Sequence, residues 1–321
     1  MTAAGWDQQV GYGIESTFGT FVPPTRAIEH VKSNMRSVRQ DIISKGVKAG
    51  RRTGFRRMKG LEVVGGTIAH ELSPVNIGVL LVQAMGAVST TGAGPYTHTI
   101  TPGPLVETRS LSVQVGTPDY AGTVQPFNFS GCQVKSATIT VKAGEIAMIE
   151  IDWVGQHLQN TGDGDTVAGL TAAVYSATWA PFTSLNAALS IAGSAYEFDE
   201  VTIKIDNGLR TGNYTSKATN PARANRAKEE GLRSITATVK SDLWDLTAMN
   251  RAFAGTEVAF SLALTNSPHS LTFAGNCRTL PQSPELQDGK ITKDTLALDL
   301  LSASSDAAAF TATLVNADST P

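Results

Sequence analysis

Apolar and polar residues alternate along SATITVK at 136–142, EIAMIEIDW at 145–153 and DEVTIKID at 199–206. A period of two puts one face of a strand in a core and the other in solvent. KAGE (142–145) and QDGK (287–290) each lie between two such runs and read as hairpin turns. Two segments carry the helical period instead. SPVNIGVLLVQAMG has Ser73 as its N-cap, Pro74 at the first helical position and Gly86 just past the end. Its residues Ile77, Leu80, Leu81, Ala84 and Met85 make one apolar stripe. SDLWDLTAMNRAFAG has Asp242 as cap, Leu243, Leu246, Met249 and Phe253 as stripe, and Gly255 at the stop. The pattern predicts a mainly β chain with two short helices.

The helices also mark an internal repeat. GLEVVGGTIAHEL (60–72) lies on GLRSITATVKSDL (231–243) at an offset of 171, matching Leu61 with Leu232, Val64 with Ile235 and Ile68 with Val239. AIEHVKS (27–33) matches EFDEVTI (197–203) at an offset of 170. Downstream, FSG at 129–131 matches FAG at 273–275, and Gly144 matches Gly289 at an offset of 145. The drop from 171 to 145 gives the first copy some 26 extra residues, for which PYTHTITPGPLVE is the visible surplus. Matching order, helix position and hairpin position indicate a duplication. The expected units are 1–158 with an N-terminal arm and a basic loop, a linker at 159–186, and 187–321 with a C-terminal arm.

Composition narrows the chemistry. At 321 residues, 41% hydrophobic and 17% charged, the chain suits one large or two small globular domains. A net charge of −2 argues against a general nucleic-acid binder. The start MTAAGWDQQVGYG has no basic region followed by an apolar run, so no signal peptide is expected. The longest apolar run, IGVLLVQAMGAV, is too short for a bilayer. Cys132 and Cys277 are expected to be free and partly buried. His30, His70, His98, His157 and His269 have no partners at metal-ligand spacing. GDGD at 162–165 lacks the later ligands of a calcium loop and reads as flexible linker. With no GxSxG or phosphate-loop pattern either, neither an enzyme nor a cofactor is expected.

The charge that stands out is KGVKAGRRTGFRRMKG at 45–60, with seven Lys or Arg and no acid. Its counterpart in the second copy, TSKATNPARANRAKEEG at 215–231, is basic as well. Three uses fit these loops: a nucleic-acid patch, a solvated face, or an arm docking on an acidic neighbour. Their length favours function or disorder.

VGYGIESTFGTFVPPT, the basic loop, GTIAHELSPVNIGVLLVQAMGA and FSGCQVKSATITVKAGEIAMIEIDWVG, taken in order, resemble the tail tube proteins of long-tailed bacteriophages. The resemblance covers most of the chain. It implies tandem β-sandwich or barrel-like repeats, each with a short flanking helix and a long hairpin. It also implies rings that stack into a hollow tube, here trimers that imitate sixfold symmetry, with hairpin sheets lining a lumen for DNA. Implied partners are other copies of the chain, a tape-measure protein and tail terminator or distal-tail proteins, with no membrane. The implied location is the virion tail, after assembly in the host bacterial cytoplasm. A conduit should not grip DNA, so its lining should be acidic or neutral. Glu145, Glu150, Asp152, Asp288, Asp294 and Asp299 are the candidates. Arg51, Arg52, Arg56, Arg57, Lys59, Arg223, Arg226 and Lys228 are the expected contacts between rings. A tandem binding module (an adhesin or a sugar-binding protein) and a tail terminator or distal-tail ring are the alternatives.

Overall fold

The structure, a computed structural model, describes residues 5–46, 49–53, 56–105, 110–175, 180–212, 214, 222–242, 246–280, 293–302 and 304–321. The first half contains β1 (Gln9–Glu15), β2 (Arg26–Ala27), β3 (His30–Ser33), β4 (Arg36–Ile43), β5 (Arg57–Glu71) and α1 (Gly78–Met85). It continues with β6 (Gly86–Thr91), β7 (Tyr96–Pro102), β8 (Ser110–Pro118), β9 (Val124–Lys142), β10 (Met148–Gly155) and β11 (His157–Leu158). The second half contains β12 (Ala187–Ile191), β13 (Ser194–Tyr196), β14 (Glu200–Asp206), β15 (Leu209–Arg210), β16 (Lys228–Glu229) and β17 (Ser234–Asp242). After these come α2 (Thr247–Ala254), β18 (Glu257–Asn266), β19 (His269–Thr279), β20 (Lys293–Leu300), α3 (Asp306–Ala309) and β21 (Thr311–Asn316). The chain is mainly β, as its alternation predicts, and its strand pairings are antiparallel.

Strand β9 organises the fold. Its C-terminal half lies between β10 and β14, while its N-terminal half pairs with β8 and β11 in a smaller sheet completed by β1 and β2. The change of neighbours falls at Gly131, which has φ +64°, and a Cβ there would come within 2.7 Å of Gln156. The buried carboxylate of Glu15 fixes this corner. It accepts bonds from the Gly131 amide (2.8 Å), both Ser110 and Ser112 hydroxyls, and the Gly19 amide.

The two halves repeat one strand order: β3/β4–β5–β10–β9, then β14–β17–β20–β19. Ile68 faces Ile151 as Val239 faces Leu296, and Val134 faces Trp153 as Thr279 faces Leu298. The hairpin after each helix corresponds too. β21 lies between β7 and β19, so that Leu314 stands opposite both His98 and Leu271. This corrects the expected surplus: most of PYTHTITPGPLVE is β7, which has its counterpart in β19. The extra material is β8 and the first half of β9, which build the smaller sheet. The triplets FSG and FAG are alike in sequence, but they belong to strand segments with different neighbours.

Both helices start later than expected. Ser73–Ile77 form a turn instead of a first helical turn, because Asn76 adopts φ +65°. There its amide donates to Asp318, while its side chain bonds Arg26 and the Ala27 carbonyl. Asp242 ends β17 opposite Lys293 rather than capping a helix, and α2 starts at Thr247. Gly255 closes α2 in the left-handed conformation, and Gly86 follows α1, as expected. α1 is wholly buried, whereas α2 buries only Ala252, so its expected core stripe leaves Leu246 and Phe253 exposed. Leu243, Trp244 and the QDGK turn lie outside the described residues. Cys132 and Cys277 are free, as expected, but fully buried. Burial pushes the Cys277 thiol up to about 11.

Candidate functional site

The strand series β5–β10–β9–β14–β17–β20 has two chemically different faces, and its pairing registers assign each residue to one of them. On the inner face His70, Ile149, Ile139, Ile203, Ala237 and Leu298 stand in one transverse row, all buried. On the outer face Ala69, Glu150, Thr138, Lys204, Thr236 and Asp299 form a row. Glu71, Met148, Thr140, Thr202, Thr238 and Ala297 form the next. Thr67, Asp152, Ser136, Asp206 and Ser234 form a third. These outer rows contain hydroxyls and isolated charges, without aromatic or Arg side chains. Lys135 meets Asp152 at 3.2 Å, and Lys240 meets Glu200 at 3.0 Å. Exposed pairs of this kind contribute little stability, and with Lys204 the one cation in these rows against Glu71, Glu150, Asp152, Asp206 and Asp299, the face is acidic on balance.

Three of the predicted acidic residues, Glu150, Asp152 and Asp299, therefore share this face. Glu145 sits in the β9–β10 turn beside Lys142. Asp294 stands opposite Ser241 in the ladder, but its side chain and all of Asp288 lie outside the described residues.

The basic loop is the tip of a ribbon formed by β4 and the start of β5. One ribbon face exposes Val38, Ile42, Met58 and Val63. Gly60 sits where the ladder slips between Gln40 and Ile42, and a Cβ there would lie 1.6 Å from the Gln40 carbonyl oxygen. The other face is fixed to the segment after β11. Arg39 forks onto Asp163, and Lys59 bonds the Gly162 carbonyl and Asp163. The Arg39 fork holds the Asp163 carboxyl well below its usual range.

Behind this contact lies buried His157, whose Nδ1–H donates to Glu62 and whose Nε2–H donates to Asp165, both at 2.6 Å. A carboxylate on each ring nitrogen requires the imidazolium. Burial opposes the charge, but the two acids outweigh it and raise the pKa. Arg223 adds a bond to Asp165 at 2.8 Å. Glu62, His157 and Asp163 bring donor atoms within 4.8 Å of one another. Arg39 and the imidazolium already balance these acids, so the cluster is an ion network rather than a cation cage. GDGD is thus a pinned turn, not the flexible linker its composition suggests, because both of its acids find cations from distant segments. Glu62 was the legible signal, since it shares strand parity with Val64 and Ile68 and so places a charge on the core face.

Several of the expected basic contacts are engaged within the chain. Arg57 pairs with Asp41 at 2.6 Å, and Lys59 and Arg223 reach the pinned turn. Arg226 donates to the Leu105 carbonyl at 3.0 Å and lies over the Phe18 ring. Lys228 belongs to β16, and Arg51, Arg52 and Arg56 are exposed in the tip. Among the described residues no helix is long and apolar enough to cross a membrane.

The sequence also matches the family model described as phage tail tube protein over residues 5–314. No curated protein matches it.

Proposed function

The chain belongs to the phage tail tube protein family, and from that premise we propose that it assembles into stacked rings forming a hollow tail tube for DNA ejection. It is a structural protein of the virion tail. The observation that carries the reading is the joint between the halves, where β14 pairs with β9 and Ile203 faces Ile139. The strands in the first half that hold the place of β14, β3 and β4, have no partner on their outer edge among the described residues. Such an edge is a template for another chain, and a repeated head-to-tail contact closes a ring when its rotation fits. Two tube modules per chain, 1–158 and 187–321 joined by the linker 159–186, make three chains a pseudo-sixfold ring.

The polar outer face of the sheet then lines the lumen, with Glu150, Asp152 and Asp299 in its rows. Hydroxyls and a net acidic charge give DNA no stacking anchor and little cationic attraction, so the genome passes without specific binding. The role is structural, with no catalysis and no cofactor. The chain's partners are its own copies, the tape-measure protein and the terminator or distal-tail proteins, and assembly takes place in the host cytoplasm.

Lumen lining is testable through a single engineered thiol, since Cys132 and Cys277 are buried. In assembled tubes, Thr238→Cys should react with a small maleimide and resist one carrying a bulky protein. Equal reaction with both reagents would place this face on the outside.

A further inference from the structure

The described part of the second half's basic arm, from residue 222 on, lies against the first half of its own chain. The Ala222 carbonyl accepts from the Glu62 amide at 2.9 Å, and the Ala224 carbonyl accepts from Gln156 Nε2 at 3.0 Å. The Ala227 amide donates to Gln133 Oε1 at 3.1 Å, while Arg223 pairs with Asp165. Ala224 and Ala227 are buried by these contacts.

The strand correspondence carries this docking site onto the second half. Leu61 and Val64 become Leu232 and Ile235, and Gly155 and Gln156 become Leu300 and Leu301. At those positions the second half has a cleft of about 310 Å³ lined by Leu232, Ile235, Leu300, Leu301, Ser302 and Asp306. Leu232 is 97% exposed and Leu301 41%. Among the described residues, the place that one arm fills in the first half is therefore open in the second.

The other arm has the properties of an occupant. Its tip is basic, and the cleft has an acid in Asp306 beside Arg233, whose guanidinium donates to Asn207 and the Met85 and Gly103 carbonyls. Its ribbon exposes Val38, Ile42, Met58 and Val63, where the intramolecular arm has Asp206, Leu209, Glu229 and Ser234, with Leu209 buried. An arm docking between molecules must offset lost translational and rotational freedom, and apolar area supplies that. A tethered arm has no such need. Counting back from the Leu61–Leu232 match, Arg52 corresponds to Arg223.

We propose that the β4–β5 arm of a second copy occupies this cleft, with Arg52 facing Asp306 as Arg223 faces Asp165. The contact is lateral, joining neighbours within a ring, and so replaces the inter-ring role expected for this loop. The inference rests on the assembly reading above.

Charge exchange tests it. Arg52→Asp and Asp306→Arg should each raise the protein concentration needed for ring formation at least about tenfold, with unchanged circular dichroism. The double variant should restore assembly towards the wild-type concentration. Oxidised rings of an Arg52→Cys/Asp306→Cys variant should run as covalent multimers on a denaturing gel. Wild-type rings combined with unaffected single variants, or with no rescue in the double variant, would overturn the docking alone. A wild-type protein that never forms rings would overturn the assembly reading and the docking with it.

Discussion

Replacing His157 with alanine should lower folding stability by about 3–5 kcal/mol, the range for breaking a buried ion pair by removing one partner. The imidazolium is the closest cationic partner of Glu62, whose side chain is 2% exposed. Arg39 is 3.8 Å from Glu62 and already forks onto Asp163. Without the ring, Glu62 would keep only bonds from Ser37 and the Leu158 amide beside that distant charge. Denaturant melts of the two proteins at pH 6 measure the difference.

The pH dependence carries a sign. The pKa of His157 is raised in the fold, so its contribution is complete below about pH 6.5 and fades as pH rises through the folded value. Burial opposes ionisation of Glu62, but bonds from His157, Leu158 and Ser37 outweigh it and lower the pKa. That contribution stands above the ordinary carboxylate range and fades as pH falls. The penalty of His157→Ala should therefore peak between about pH 5 and 6.5 and shrink on either side. His70 has the opposite sign. Burial lowers its pKa to about 4, with Nδ1–H donating to Glu29 and Nε2 accepting from Tyr12. Its neutral ring is the native form, so acidification from pH 6.5 to 4 should cost about 3 kcal/mol.

Ile203→Ala should cost about 2–5 kcal/mol, the range for emptying a packed aliphatic site. Ile203 is fully buried at the joint between the halves, opposite Ile139 on one side and Ala237 on the other. Its neighbour Thr202 lies on the outer face, and Thr202→Ala should change stability by no more than about 0.5 kcal/mol. Paired urea titrations read both effects. Similar costs for the two would mean that the register is displaced by one residue, which exchanges the faces.

The same two residues show what the sequence made legible. Alternation along 136–153 and 199–206 placed Ile203 inside and Glu150 and Asp152 together on the opposite face, because a strand's period of two is a local property. The glycine stops at Gly86 and Gly255 were legible for the same reason. The helix starts were not. Asn76 gives up a helical turn for contacts with Ala27 and Asp318, far away in sequence. The ion network was hidden likewise, since Glu62, His157 and Asp165 meet only after β5 and the segment after β11 come together. Local resemblance also set FSG against FAG, although the pairings align β7 with β19. The charge of the basic loop was legible locally, but its acidic partners depended on tertiary contacts.

Electron microscopy of the concentrated, purified protein with rotational symmetry analysis tests the central claim most directly. Long hollow tubes with three chains per ring, each ring showing six similar modules, are the predicted result. Six chains per ring would keep the tube and contradict the two modules per chain, while monodisperse monomers under all conditions would contradict the assembly itself.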